Sequence, residues 1–142
     1  MLTGSCLCGA VRFTVNGKLG PVIHCHCGTC RKAQGAAFMT SAPVRRKYFA
    51  LVAGADSVTA YESSPGKQRC FCRTCGSPLW STREDTPDIL RLRLGLLDGD
   101  PSRRPAAHIW VGDKAPWCEI TDDLPRSAAD GTELERLLPR AR

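Results

Sequence analysis

Eight of the nine cysteines in this 142-residue chain fall into three tight clusters, and only Cys118 stands apart. The clusters are Cys6-Leu7-Cys8, Cys25-His26-Cys27-Gly28-Thr29-Cys30 and Cys70-Phe71-Cys72-Arg73-Thr74-Cys75. Thiolates this close in sequence can converge on one metal ion, and Zn²⁺ takes four such ligands at about 2.3 Å. Cys72-x-x-Cys75-Gly76 has the form of a zinc knuckle, in which the glycine permits a tight turn that aims backbone amides at sulfur. Cys6-x-Cys8-Gly9 is a second pair of the same kind. Each pair alone is half a site; together Cys6, Cys8, Cys72 and Cys75 make a tetrahedron that would close the N-terminal strand onto the middle of the chain. Two separate pairs of free thiols would be a poor core choice, so metal binding outweighs inert burial.

The middle cluster offers three thiols, Cys25, Cys27 and Cys30, within six residues. Three protein ligands and an open fourth position are the pattern of a catalytic zinc. A closed site, completed by Cys70, Cys118 or a histidine, fits the spacing equally well. His24 and His26 flank Cys25, but in an extended segment His26 points away from Cys25 and Cys27. It reads as a polar strand residue or a hydrogen-bond donor behind the ligands. His108 reads as a satisfied core or surface histidine. Cys70 shares a strand face with Cys72 and reads as a spare thiol near the metal; Cys118 reads as a small buried side chain. The run Arg45-Arg46-Lys47 reads as a solvated face.

The elements that must hold these residues are short strands. Ala10–Val15 alternates with period two and is followed by Asn16-Gly17, a hairpin signal. Strand-like segments follow at 21–25, 36–42, 49–52, 58–62, 68–72, 78–82, 89–94 and 108–111, separated by Gly, Pro, Ser and Asp. In Ile89-Leu90-Arg91-Leu92-Arg93-Leu94 apolar and basic residues alternate, the mark of a half-buried strand. Thr29–Gln34 suits one helical turn closed by Gly35. The spacing of Thr132–Leu138 is helical and stops at Pro139. Many short strands with frequent turns predict an all-β architecture.

Length and composition fit a single domain, with 42% hydrophobic and 24% charged residues. No stretch approaches the ~20 apolar residues of a membrane span. No basic-then-apolar leader opens the sequence, which leads us to expect a cytoplasmic protein with reduced thiols rather than a disulfide framework. The formal charge is +6, but seven zinc-bound thiolates and two Zn²⁺ ions would halve it. With aromatic residues at 6%, stacking platforms are few, and nucleic acid is not the expected partner.

These residues resemble the glutathione-dependent formaldehyde-activating enzyme (GFA) family. The resemblance is carried by Gly4-Ser5-Cys6-Leu7-Cys8-Gly9-Ala10-Val11-Arg12-Phe13, Cys25-His26-Cys27-Gly28-Thr29-Cys30-Arg31-Lys32, Gly35-Ala36-Ala37-Phe38, and Phe71-Cys72-Arg73-Thr74-Cys75-Gly76-Ser77-Pro78-Leu79. Later matches are Gly95-Leu96-Leu97-Asp98, His108-Ile109-Trp110-Val111, Ala115-Pro116-Trp117 and Leu124-Pro125. The resemblance implies a zinc-bound β-tent of short antiparallel sheets with few helical turns over residues 1–126. Residues 127–142 are then a tail, short helix or disordered. It implies two Zn²⁺ per chain: a structural one on Cys6, Cys8, Cys72 and Cys75, and a more labile, catalytic one on Cys25, Cys27 and Cys30, with Cys70 and Cys118 outside the ligand set. The implied reaction is addition of glutathione to formaldehyde, that of a carbon–sulfur lyase. Arg31, Lys32 and Arg73 are expected to hold glutathione carboxylates. The competing expectation is a non-catalytic binding module in which both metals are structural.

Overall fold

The computed structural model describes residues 1–138. In chain order the strands are β1 (Leu2–Ser5), β2 (Arg12–Val15), β3 (Val22–Cys25), β4 (Met39–Arg45), β5 (Phe49–Ala53) and β6 (Val58–Ser64). They continue with β7 (Lys67–Cys72), β8 (Pro78–Arg83), β9 (Ile89–Arg93) and β10 (Pro105–Ile109). One α-helix, α1 (Gly28–Gln34), joins β3 to β4, and the remaining helical turns are short 3₁₀ segments. The molecule is therefore mostly β-sheet, as the turn spacing predicts.

Strands β1, β2 and β5 form one antiparallel sheet, and the other seven form a second in the order β10-β3-β4-β9-β8-β7-β6. All pairs are antiparallel except β10 with β3, which run parallel. The long connection between those two strands makes a parallel pairing possible, since only antiparallel neighbours can be joined by a tight turn.

The smaller sheet packs on one face of the larger. Phe13 and Val15 from β2 join Val22, Ala42, Val44, Leu90, Leu92 and Trp80 in one apolar core. The rings of Phe13, Phe49 and Trp80 meet at its centre, with centroids 5.0 to 6.3 Å apart. Truncating a buried aromatic such as Phe13 to alanine typically costs about 3–5 kcal/mol. Because side chains alternate along a strand, every residue between these core positions points to the other face of the large sheet. That face carries the site.

Several boundaries differ from the sequence reading. β1 carries almost no pattern of its own. Its Gly4 lies against the Phe13 ring with no room for a Cβ, so the strand exists through its pairing with β2. The predicted strand at 36–42 begins at Met39 and runs on to Arg45, where pairing with β9 continues to Ile89. The predicted strand at 108–111 is the end of β10. It stops because Trp110 turns into the left-handed region at φ 56°. Only Thr132–Leu134 of the expected tail helix is regular, as a 3₁₀ turn, and the expected stop at Pro139 lies outside the described residues.

Candidate active site and metal centres

The first cysteine group joins two turns that are distant in sequence. Cys6 and Cys8 lie between β1 and β2; Cys72 ends β7 and Cys75 lies in the turn before β8. The four sulfurs all lie within 4.8 Å of one another, with Cys6–Cys8 at 3.6 Å and Cys8–Cys72 at 3.8 Å. Sulfurs about 2.3 Å from a tetrahedral centre stand about 3.8 Å apart, so the group fits one metal ion. Gly9 and Gly76 both take the left-handed φ of 75° that the tight turns demand. The Val11 amide donates to Cys6 Sγ at 3.3 Å. The Ser77 hydroxyl, 3.2 Å from Cys75 Sγ, is the main reason the Cys75 thiol is held down to about 5, and backbone amides add to it.

Cys25, Cys27 and Cys30 are gathered by a strand-to-helix junction. Cys25 ends β3, Cys27 is the extended N-cap of α1, and Cys30 sits one turn in. The Cys27 sulfur accepts the Cys30 amide at 3.3 Å, which replaces one of the helix's missing hydrogen bonds. All three sulfurs lie within 4.8 Å of one another. Cys25 and Cys30 are buried and Cys27 is half-buried. Hydrogen bonding among the three divides the charge. The neighbouring Cys27 and Cys30 sulfurs push Cys25 far up, while Cys25, Cys27 and then Arg69 pull Cys30 far down. This second group also suits a metal ion, and supplies three donors rather than four.

The trio lies on the wall of a cleft of about 610 Å³ on the face of the large sheet away from the core. Lys67, Arg83 and Arg91 line it from β7, β8 and β9, and Asp130 and Glu135 line it from the segment after β10.

A family model described as glutathione-dependent formaldehyde-activating enzyme matches residues 1–113. The chain belongs to this family. A putative glutathione-dependent formaldehyde-activating enzyme of Halomonas elongata is 33% identical over 128 residues, covering 84% of this chain and 81% of the relative. An uncharacterized lyase of Schizosaccharomyces pombe is 31% identical over 111 residues, covering 78% and 79%. A crystal structure of a Rhodobacter sphaeroides protein aligns with a TM-score of 0.59 at 30% identity, covering 69% of this chain and 89% of that one.

In this family member the three histidines stand behind the trio and join neither cysteine group. His26 is fully buried, and its Nε2 lies 2.8 Å from His108 Nδ1. His108 Nε2 in turn lies 2.9 Å from the Asp122 carboxylate. A carboxylate can only accept, so His108 donates from Nε2 to Asp122. Burial and then the facing His108 hold His26 down to about 4, and hold His24 below its ordinary value. His26 is further fixed by its amide on Ile109 O at 3.0 Å and by Arg31 Nε on its carbonyl at 3.3 Å. This hydrogen-bonded chain orients the Cys25–Cys27 segment, with His26 pointing away from Cys25 and Cys27 as read from sequence.

The cations of the cleft are not those the sequence suggested. Arg31 is tied to the backbone, Lys32 and Arg73 are exposed, and none of the three lines the cleft. The alternation in β9 was the available signal. Its basic side reads as solvent-facing until the neighbouring strands are known. Lys67 and Arg69 on β7, Arg83 on β8, and Arg91 and Arg93 on β9 share one face. Burial lowers Lys67 and Arg91, and neighbouring cations lower them further. Cys70 packs against the apolar core. Cys118, expected to be buried, is half-buried. Arg45, Arg46 and Lys47 are exposed.

Proposed function

We propose that the chain is a zinc-dependent carbon–sulfur lyase that adds glutathione to formaldehyde at Cys25, Cys27 and Cys30. A structural zinc is held by Cys6, Cys8, Cys72 and Cys75. The observation that carries this reading is a three-thiol group, one donor short of a tetrahedron, opening onto a cleft. Soft thiolate sets of this kind suit zinc. When bound at the trio, zinc supplies a Lewis-acidic position that takes a thiol in its thiolate form.

The chain's own residues supply recognition. Glutathione carries two carboxylates and one ammonium. Lys67 and Arg91 stand ready for carboxylates, and Asp130 and Glu135 for the ammonium. The cleft falls within the ordinary size range of ligand pockets. In the reaction the thiol sulfur forms a bond to the aldehyde carbon, the C=O π pair becomes an oxygen lone pair, and the proton released by the thiol ends on that oxygen. All nine cysteines are free thiols, which supports a reducing, cytoplasmic setting.

The test is exchange of glutathione with formaldehyde, followed by NMR, with wild type and Cys27→Ser. Wild type should accelerate exchange and Cys27→Ser should fall to the uncatalysed rate. Uncatalysed exchange with both would exclude this reaction and favour a module in which both metals are structural.

A further inference from the structure

Two arginines behind the trio have no carboxylate partner. Arg69 is 8% exposed. Its Nε donates to Ser63 Oγ at 2.9 Å and its Nη2 to Cys30 Sγ at 3.7 Å, while Nη1 is buried without a partner. Arg93, 5% exposed, gives one Nη1 bond to Arg91 O at 3.1 Å, and its Nε is buried without a partner. Among the described residues neither forms a salt bridge. Taking a cation out of water is costly unless an opposite charge compensates it. The group that Arg69 meets is the sulfur of Cys30; burial and then the facing Arg69 push Arg93 down, and Cys30, Cys25 and Cys70 pull the other way.

We propose that Arg69, backed by Arg93, is a positioning residue that balances the negative charge of the Cys25–Cys27–Cys30 site and thereby sets that site's affinity for a divalent metal. The charges agree. A divalent ion on three thiolates leaves one net negative charge, and a substrate thiolate raises it to two, which the two buried guanidiniums can offset. The four-cysteine group handles its charge differently, through an amide, a hydroxyl and the exposure of Cys8. The device is therefore specific to the trio. A cation fixed behind the ligands offsets the charge gathered at the site without occupying a coordination position.

This inference rests on the reading that the trio binds metal, so its test measures metal and not turnover. Full-length protein carrying two equivalents of zinc is titrated with a chromogenic chelator as wild type, Arg69→Met and Arg69→Lys. Arg69→Met should weaken one of the two zinc sites about 10- to 100-fold and leave the other unchanged. Arg69→Lys, which keeps the charge, should recover most of the loss. Equal affinity in wild type and Arg69→Met would overturn the proposal, as would equal weakening of both sites or an Arg69→Lys no better than Arg69→Met. Should Arg69→Met not fold, Arg93→Met decides it, with a smaller loss confined to the same site expected and no loss overturning it. A wild-type protein that takes up only one zinc would overturn this proposal together with the zinc reading of the trio. A wild-type protein with both zincs and the Arg69 dependence, but no glutathione–formaldehyde exchange, would remove the proposed reaction alone.

Discussion

The two cysteine groups use the same donor atom for opposite architectural purposes. Cys6 and Cys8 meet Cys72 and Cys75 across more than sixty residues of chain, so a metal there would crosslink two turns that only the fold brings together, and its binding would favour the folded chain. Cys25, Cys27 and Cys30 come from a single strand-to-helix junction. A metal there closes almost no loop. Fold stability should depend on the first group and chemistry on the second. The surroundings differ in the same sense. The first group rests on amides, a hydroxyl and water, and the second on a cleft and two buried guanidiniums.

Cys72 offers the most severe way to break the comparison. Its side chain is fully buried in the core as well as being a donor, and structural zinc sites contribute folding free energy outright, on the order of 10 kcal/mol in small domains. Cys72→Ser should abolish the cooperative thermal transition seen by near-ultraviolet circular dichroism. A variant that still melts cooperatively near the wild-type temperature would show that the first group is dispensable. Next in size, stepwise chelation should separate the groups. Removing the first equivalent of metal should leave circular dichroism intact and abolish activity, and removing the second should unfold the chain. Simultaneous loss of both would erase the proposed division of duties.

Smaller effects sharpen the second site. Arg91→Ala should raise KM for glutathione about tenfold with kcat nearly unchanged, the loss expected of one charged hydrogen bond. The effect should shrink for a thiol without carboxylates. An equal effect on such a thiol would remove Arg91 from carboxylate recognition. The smallest effect concerns Asp122, held below its ordinary value chiefly by the hydrogen bond from His108. A lowered carboxylate contributes stability that is present above its unfolded value of 3.8 and lost as pH falls through the lower folded value. Wild type should therefore melt slightly above Asp122→Asn at pH 6, and the difference should shrink on acidification below pH 3.8 and vanish below the lower folded value. A difference that persists in acid would assign the effect to packing.

The legible and illegible parts of the site divide along physical lines. Cysteine spacing is local, so Cys25-x-Cys27-x-x-Cys30 announced a group of three converging thiols before any fold was known. The alternation of Ile89–Leu94 announced a strand with two unlike faces. It was silent on which face would meet water, because that depends on the sheet packed against the other side. Hence Lys67, Arg69 and Arg91 went unnoticed in sequence, while Arg31 and Lys32, adjacent to the cysteines, drew attention and proved to lie outside the cleft. β1 went unread for a related reason. Leu2-Thr3-Gly4-Ser5 has no periodicity, and its conformation is imposed by β2.

The chain by itself determined its family, the all-β class and the two donor sets, since each follows from residue types a few positions apart. Tertiary structure alone decided that β10 lies parallel to β3, that the His26–His108–Asp122 chain forms, and that five cations from three strands crowd the sheet face that carries the trio. Those are meetings of residues tens of positions apart. Sheet order and register create them, and neither spacing nor composition encodes sheet order.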